Sequence, residues 1–154
     1  MTMVILGIGN RLRSDDGIGS LVASELATYE YDKLIIYDCE TTPENYIDKV
    51  VEVKPDWVIF IDACNFEAKP GEFKLFEEDE IKEISYGLLS THTLPLTLTI
   101  ELIKKQHNCR ISLLGVQPKS FIMATDLSPE LLEAKQKIIQ FIKNLTIKTT
   151  KTTD

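Results

Sequence analysis

The chain has 154 residues and a mass of 17.5 kDa, which suits one domain with a sizeable core. Its formal charge of -7 and pI near 4.9 exclude a binder of phosphate backbones, which needs clustered Lys and Arg. The amino terminus lacks the basic start of a signal peptide, and no run reaches the ~18 apolar residues of a membrane span. Cys39, Cys64 and Cys109 are odd in number and form no CxxC spacing, which fits a reducing cytoplasm. The expected setting is therefore cytoplasmic, without nucleic acid or membrane insertion, and the expected state is a monomer.

Strand and helix patterns alternate along the chain. Met3–Ile8 reads as a buried strand. A helix beginning at Asp15 or Asp16 and running to about Ala27 places Ile18, Leu21, Val22 and Leu26 on one face. Leu34–Tyr37 is a second strand, ending at Asp38-Cys39-Glu40. Pro43-Glu44 opens a helix, with Pro suited to the first turn, and Trp57–Ile61 is a third strand. Pro70-Gly71 marks a turn, after which Phe73–Phe76 reads as a short edge strand. Glu77–Glu80 reads as a solvated loop or a helix start. Leu94–Lys105 is an amphipathic helix, and Arg110–Gly115 the last central strand. Ser128-Pro129-Glu130 caps a helix over Leu131–Asn144. The expected fold is a single three-layer αβα sandwich over residues 1–145, with a mostly parallel sheet of about five strands and helices on both faces. Residues 146–154 are expected to be a flexible tail.

Three segments of this pattern end on side chains that can bind a metal. The Gly-rich loop after the first strand leads to Asp16, the third strand ends on Asp62, and His92 stands before a helix. Parallel strands bring such exits to one crevice, where ligands bind. Two carboxylates and an imidazole make a plausible divalent-metal site with room for an exogenous ligand. A dinucleotide reading of Gly7-Ile8-Gly9-Asn10-Arg11-Leu12 fails, because the third glycine is missing and Asp15 and Asp16 would repel a pyrophosphate. Capping explains one acid of that pair and leaves the surrounding glycines unexplained. Asp38 is a weaker candidate for substrate binding, equally suited to capping its loop. His107, in a polar stretch, reads as structural. Cys64 lies two residues past Asp62 but has no histidine beside it in sequence, so a thiolate nucleophile is disfavoured.

Taken together, Gly7-Ile8-Gly9-Asn10-x-Leu12-x-x-Asp15-Asp16-Gly17-x-Gly19, Pro43-Glu44-Asn45, Asp62-Ala63, Pro70-Gly71-Glu72, Thr91-His92-x-Leu94-Pro95-Leu96, Leu114-Gly115-Val116-Gln117-Pro118 and Leu127-Ser128-Pro129 resemble the hydrogenase maturation endopeptidases. The resemblance covers nearly the whole chain in order, and Pro43-Glu44-Asn45 looks closest to the branch serving hydrogenases of the formate-hydrogenlyase type. It implies removal of a C-terminal extension from the large-subunit precursor of a nickel–iron hydrogenase after nickel insertion. It also implies that Asp16, Asp62 and His92 are the metal ligands. The same three are the expected catalytic set on chemical grounds, since a metal there could polarise the scissile carbonyl or activate a water, with Asp16 or Asp62 as a base. Nickel would be supplied by the substrate, although other divalent ions can occupy such a site. Two alternatives stand beside this reading: a self-contained zinc metallohydrolase using the same three ligands, and a nucleotide-binding regulatory module of similar topology.

Overall fold

The computed structural model describes residues 1–84 and 95–151. Five strands form one sheet: β1 (Met3–Ile8), β2 (Leu34–Glu40), β3 (Trp57–Ala63), β4 (Phe73–Glu77) and β5 (Arg110–Val116). Their order is β2-β1-β3-β5-β4. The first four in that order run parallel, and β4 closes the edge antiparallel to β5. Every residue of β1 and of β3 is buried, as expected of central parallel strands covered on both faces.

Side-chain alternation divides the core in two. Met3 and Ile5 of β1, with Ile59 and Ile61 of β3, pack under α1 (Ile18–Leu26) and α5 (Pro129–Lys151). Val4, Leu6 and Ile8, with Val58 and Phe60, pack under α2 (Ile47–Glu52), α3 (Glu78–Ile84) and α4 (Leu96–Gln106). The mixed sheet with helices on both faces matches the expected three-layer fold.

Several boundaries differ from the sequence reading. The helix expected from Asp15 begins as a 3-10 turn, Ser14–Gly17, before α1 proper, and Pro43–Tyr46 is likewise 3-10 before α2. β2 continues through Asp38 to Glu40, because its pairing with β1 persists past a register shift at Gly7/Ile8. Glu77 ends β4, and the acids after it begin α3, where they complement the helix dipole. α5 runs past Asn144 to Lys151, and at its far end Thr146 Oγ1 donates to the Ile142 carbonyl at 2.8 Å.

The connections fix where a ligand can bind. From β1 the chain moves outward to β2, then crosses back over β1 to β3 on the opposite face of the sheet. The exits of β1 and β3 thus flank the topological switch point, the crevice where α/β sheets bind ligands.

Candidate active site

The loop leaving β1 is held down by close backbone packing. A Cβ at Gly19 would overlap the carbonyl oxygens of Ile8 and Ile61, and one at Gly9 would overlap the carbonyl of Asp16. Glycine at these two positions lets the 3-10 turn and α1 lie directly on the ends of β1 and β3. This accounts for the glycines around the acidic pair that capping left unexplained.

The two acids of the pair do different work. Asp15 is wholly buried and accepts four hydrogen bonds: from the backbone N–H of Lys119 (2.8 Å), Ser120 (3.0 Å) and Ser128 (2.8 Å), and from the Ser128 hydroxyl (2.9 Å). It is a structural clamp, joining the first loop to the segment before α5. Ser128 in turn caps α5, its Oγ accepting the Leu131 N–H at 3.4 Å. Asp16 is 2% exposed and accepts the Asn10 N–H at 3.2 Å. It belongs to the turn at the exit of β1, and that turn packs against β3.

Asp62, 3% exposed, is the penultimate residue of β3. By alternation it follows Val58 and Phe60 to the face covered by α2 and α4. Asp16 and Asp62 therefore stand at the exits of adjacent parallel strands, on the two sides of the switch point. His92 lies outside the described residues, as does Leu94; the description resumes at Pro95, just ahead of α4. Among the described residues no three His, Cys, Asp or Glu side chains are grouped as a metal site. Carboxylate oxygens such as those of Asp16 and Asp62 are hard donors of the type that suits a divalent cation, and two of them would leave coordination positions for other ligands.

Asp38 follows Leu34 and Ile36 to the opposite face of the sheet, toward α1. Its carboxylate accepts from the Arg11 guanidinium at 2.6 Å and from the Ser20 hydroxyl at 2.7 Å, and Arg11 Nε also donates to Ser20 at 2.8 Å. This network ties the first loop to β2 and α1. His107 has the structural role expected of it, its Nε2 bonding the Pro55 carbonyl at 2.7 Å. Burial, with the Asp62 charge adding to it, pushes the Cys64 thiol up to about 12. Burial likewise raises Cys39 and Cys109. All three are thiols at neutral pH, and none is a ready nucleophile.

Sequence reasoning missed the division of labour between Asp15 and Asp16. The partners of Asp15 lie more than 100 residues away, and only the Ser-Pro cap signal at Ser128 hinted at a fixed segment there.

Comparison with known proteins agrees with this fold. A family model described as hydrogenase maturation protease matches residues 21–145. The hydrogenase 3 maturation protease of Escherichia coli (strain K12) is 32% identical over 118 residues, covering 77% of this chain and 74% of that protein. A crystal structure of a NiFe hydrogenase maturation protease, HycI, from Thermococcus kodakarensis KOD1 superimposes with a TM-score of 0.83 at 35% identity, over 94% of this chain and 92% of that one. The hydrogenase maturating endopeptidase HybD from E. coli shares the fold, with a TM-score of 0.83 at 21% identity, over 97% of this chain and 94% of that one.

Proposed function

The chain is an endopeptidase of the hydrogenase maturation protease family, in its HycI-type branch, and from that premise we propose that it removes the C-terminal extension from the nickel-loaded large-subunit precursor of a nickel–iron hydrogenase. Nickel in the substrate is the recognition element, and Asp16, Asp62 and His92 are the residues that meet it. The observation that carries this reading is the pair of nearly fully buried carboxylates at the exits of β1 and β3.

The reasoning is one of incomplete coordination. Two carboxylates and one imidazole from separate segments bind a free divalent ion weakly, since they include no thiolate to hold a soft metal. A substrate whose cysteines already hold nickel supplies the missing ligands. The metal site is then complete only in the complex, and its formation sets the scissile bond in register beside the carboxylates. In the hydrolytic step, water attacks the scissile carbonyl. Asp16 or Asp62 accepts the proton that the water loses, and the proton passes to the departing amine. A zinc metallohydrolase would carry its metal permanently, and a nucleotide module has no place in this family.

The test is to incubate the protein with nickel-loaded and nickel-free precursor, with and without chelator, and to weigh the products by mass spectrometry. Only the nickel-loaded precursor should lose its extension. Efficient cleavage of nickel-free precursor in chelator rejects nickel as the recognition element and favours a direct aspartate mechanism through Asp16 and Asp62.

A further inference from the structure

We propose that Leu12, Ile122 and Met123 form an apolar docking platform for the protein substrate, held at a fixed distance from Asp16 by the Asp15 clamp. The proposal rests on the endopeptidase reading, since its occupant is the polypeptide to be cut. Leu12 is 61% exposed, Ile122 64% and Met123 77%. Large apolar side chains this open to water forgo stabilisation that burial would contribute, and a cluster of them marks an interaction site.

Backbone pairing brings Leu12 beside Met123, and Ile122 directly precedes Met123 in the chain. The Ala124 N–H donates to the Leu12 carbonyl at 3.1 Å, and the Ser14 N–H to the Ala124 carbonyl at 2.7 Å. Arg13 and Ala124 form a parallel bridge, so Leu12 and Met123 stand side by side one residue earlier on each segment. The Arg13 guanidinium lies 5.8 Å from the centre of the Phe121 ring. Asp15 then fastens both ends of this segment, at Lys119-Ser120 and at Ser128, to the residue directly before Asp16. The apolar surface is thus a built extension of the loop that carries a candidate ligand.

Position and charge choose the occupant. A cleft of about 190 Å³ is lined by Asn65, on the segment after β3, and by Gln117, Pro118, Lys119, Ser120 and Phe121, the last directly preceding Ile122, so a concave surface borders the stretch that carries the platform. The other large exposed hydrophobics among the described residues, Met1, Tyr29, Leu98 and Leu132, sit on four separate segments and make no comparable surface. The negative net charge disfavours nucleic acid. What fits is an apolar stretch of the precursor flanking its scissile extension, which supplies affinity that three weak metal ligands do not.

The experiment compares the wild type with an Ile122→Ser/Met123→Ser double variant, whose exposed side chains contribute little to folding. Binding to nickel-loaded precursor is measured by biolayer interferometry, cleavage of the same samples by mass spectrometry, and oligomeric state by sedimentation. The expected result is affinity weakened roughly tenfold or more, with KM raised in proportion, kcat at saturation unchanged and the melting temperature preserved. Equal affinity overturns the platform even where both proteins cleave normally. Weakened affinity where neither protein cleaves keeps the platform and overturns the protease reading instead. A wild-type dimer that the double variant dissociates overturns the proposal by making the surface a self-interface.

Discussion

Asp62 and Cys64 lie two residues apart at the same strand exit and should behave oppositely when substituted. Asp62→Asn should lower processing of the nickel-loaded precursor by at least about 100-fold while the protein stays folded, because the amide replaces a charged donor. Cys64→Ala should retain cleavage at a cost of about 1 kcal/mol in stability, since a thiol held up near 12 supplies no thiolate. Single-turnover cleavage followed by mass spectrometry reads both, and an inactive but folded Cys64→Ala protein would restore the thiol to consideration. Asp15 differs from its neighbour Asp16 in kind. Asp15→Asn turns an amide N–H₂ toward backbone donors and leaves some of them unpaired, which should cost about 2–4 kcal/mol in denaturant unfolding. A loss below 1 kcal/mol would show that the clamp is slack.

At the scale of elements, the critical packing is α1 against the ends of β1 and β3. Gly19→Ala places a methyl where the Ile8 and Ile61 carbonyls already stand. α1 and the 3-10 turn must then lift from the sheet, at a cost of about 3 kcal/mol or more, and they carry Asp16 with them. A lower melting temperature together with loss of cleavage is the expected outcome; an active variant of unchanged stability would show that the approach is loose. The elements themselves were largely legible in the sequence, because buried parallel strands such as Val58–Ile61 read as unbroken apolar runs and the helices as 3.6-residue stripes. The strand exits at Asp16 and Asp62 followed from those runs. The lateral strand order was not legible, nor the separation of Asp38 and Asp62 onto opposite faces, which depends on where each strand ends. The platform was equally hidden, since the exposure of Ile122 and Met123 is set by pairing with a loop 110 residues earlier and not by their own pattern.

For the molecule as a whole, the end of the sheet away from the site is fastened by a charged cluster. Glu77, the last residue of β4, accepts from Arg110 at 2.6 Å and from the Ser112 hydroxyl at 3.0 Å, while Trp57 Nε1 donates to Ser112 at 3.0 Å. The Arg110 guanidinium also lies 3.7 Å from the centre of the Trp57 ring. Hydrogen bonds from Arg110 and Ser112 outweigh burial and hold the Glu77 carboxyl below its ordinary value of 4.5. A carboxyl depressed in the folded state stabilises above its unfolded pKa, and that contribution is lost as pH falls through the depressed value. Glu77→Gln should therefore lower the melting temperature at pH 7 by about 2–4 °C, a modest figure because the pair is partly exposed. The gap from wild type should narrow in melts at progressively lower pH, as the carboxyl becomes protonated in the folded state, and a gap that does not narrow would assign the effect to packing. Cleavage at pH 7 should be untouched, because the cluster sits at the far edge of the sheet.

The Asp15 clamp also imposes an order in time. Its partners at Lys119, Ser120 and Ser128 follow it by more than 100 residues, so a nascent chain emerging from the ribosome carries the Asp16 loop long before that loop can be set. Contacts across such a separation form late in folding. The loop is therefore kept from its finished setting until the segment through Ser128 has been synthesised.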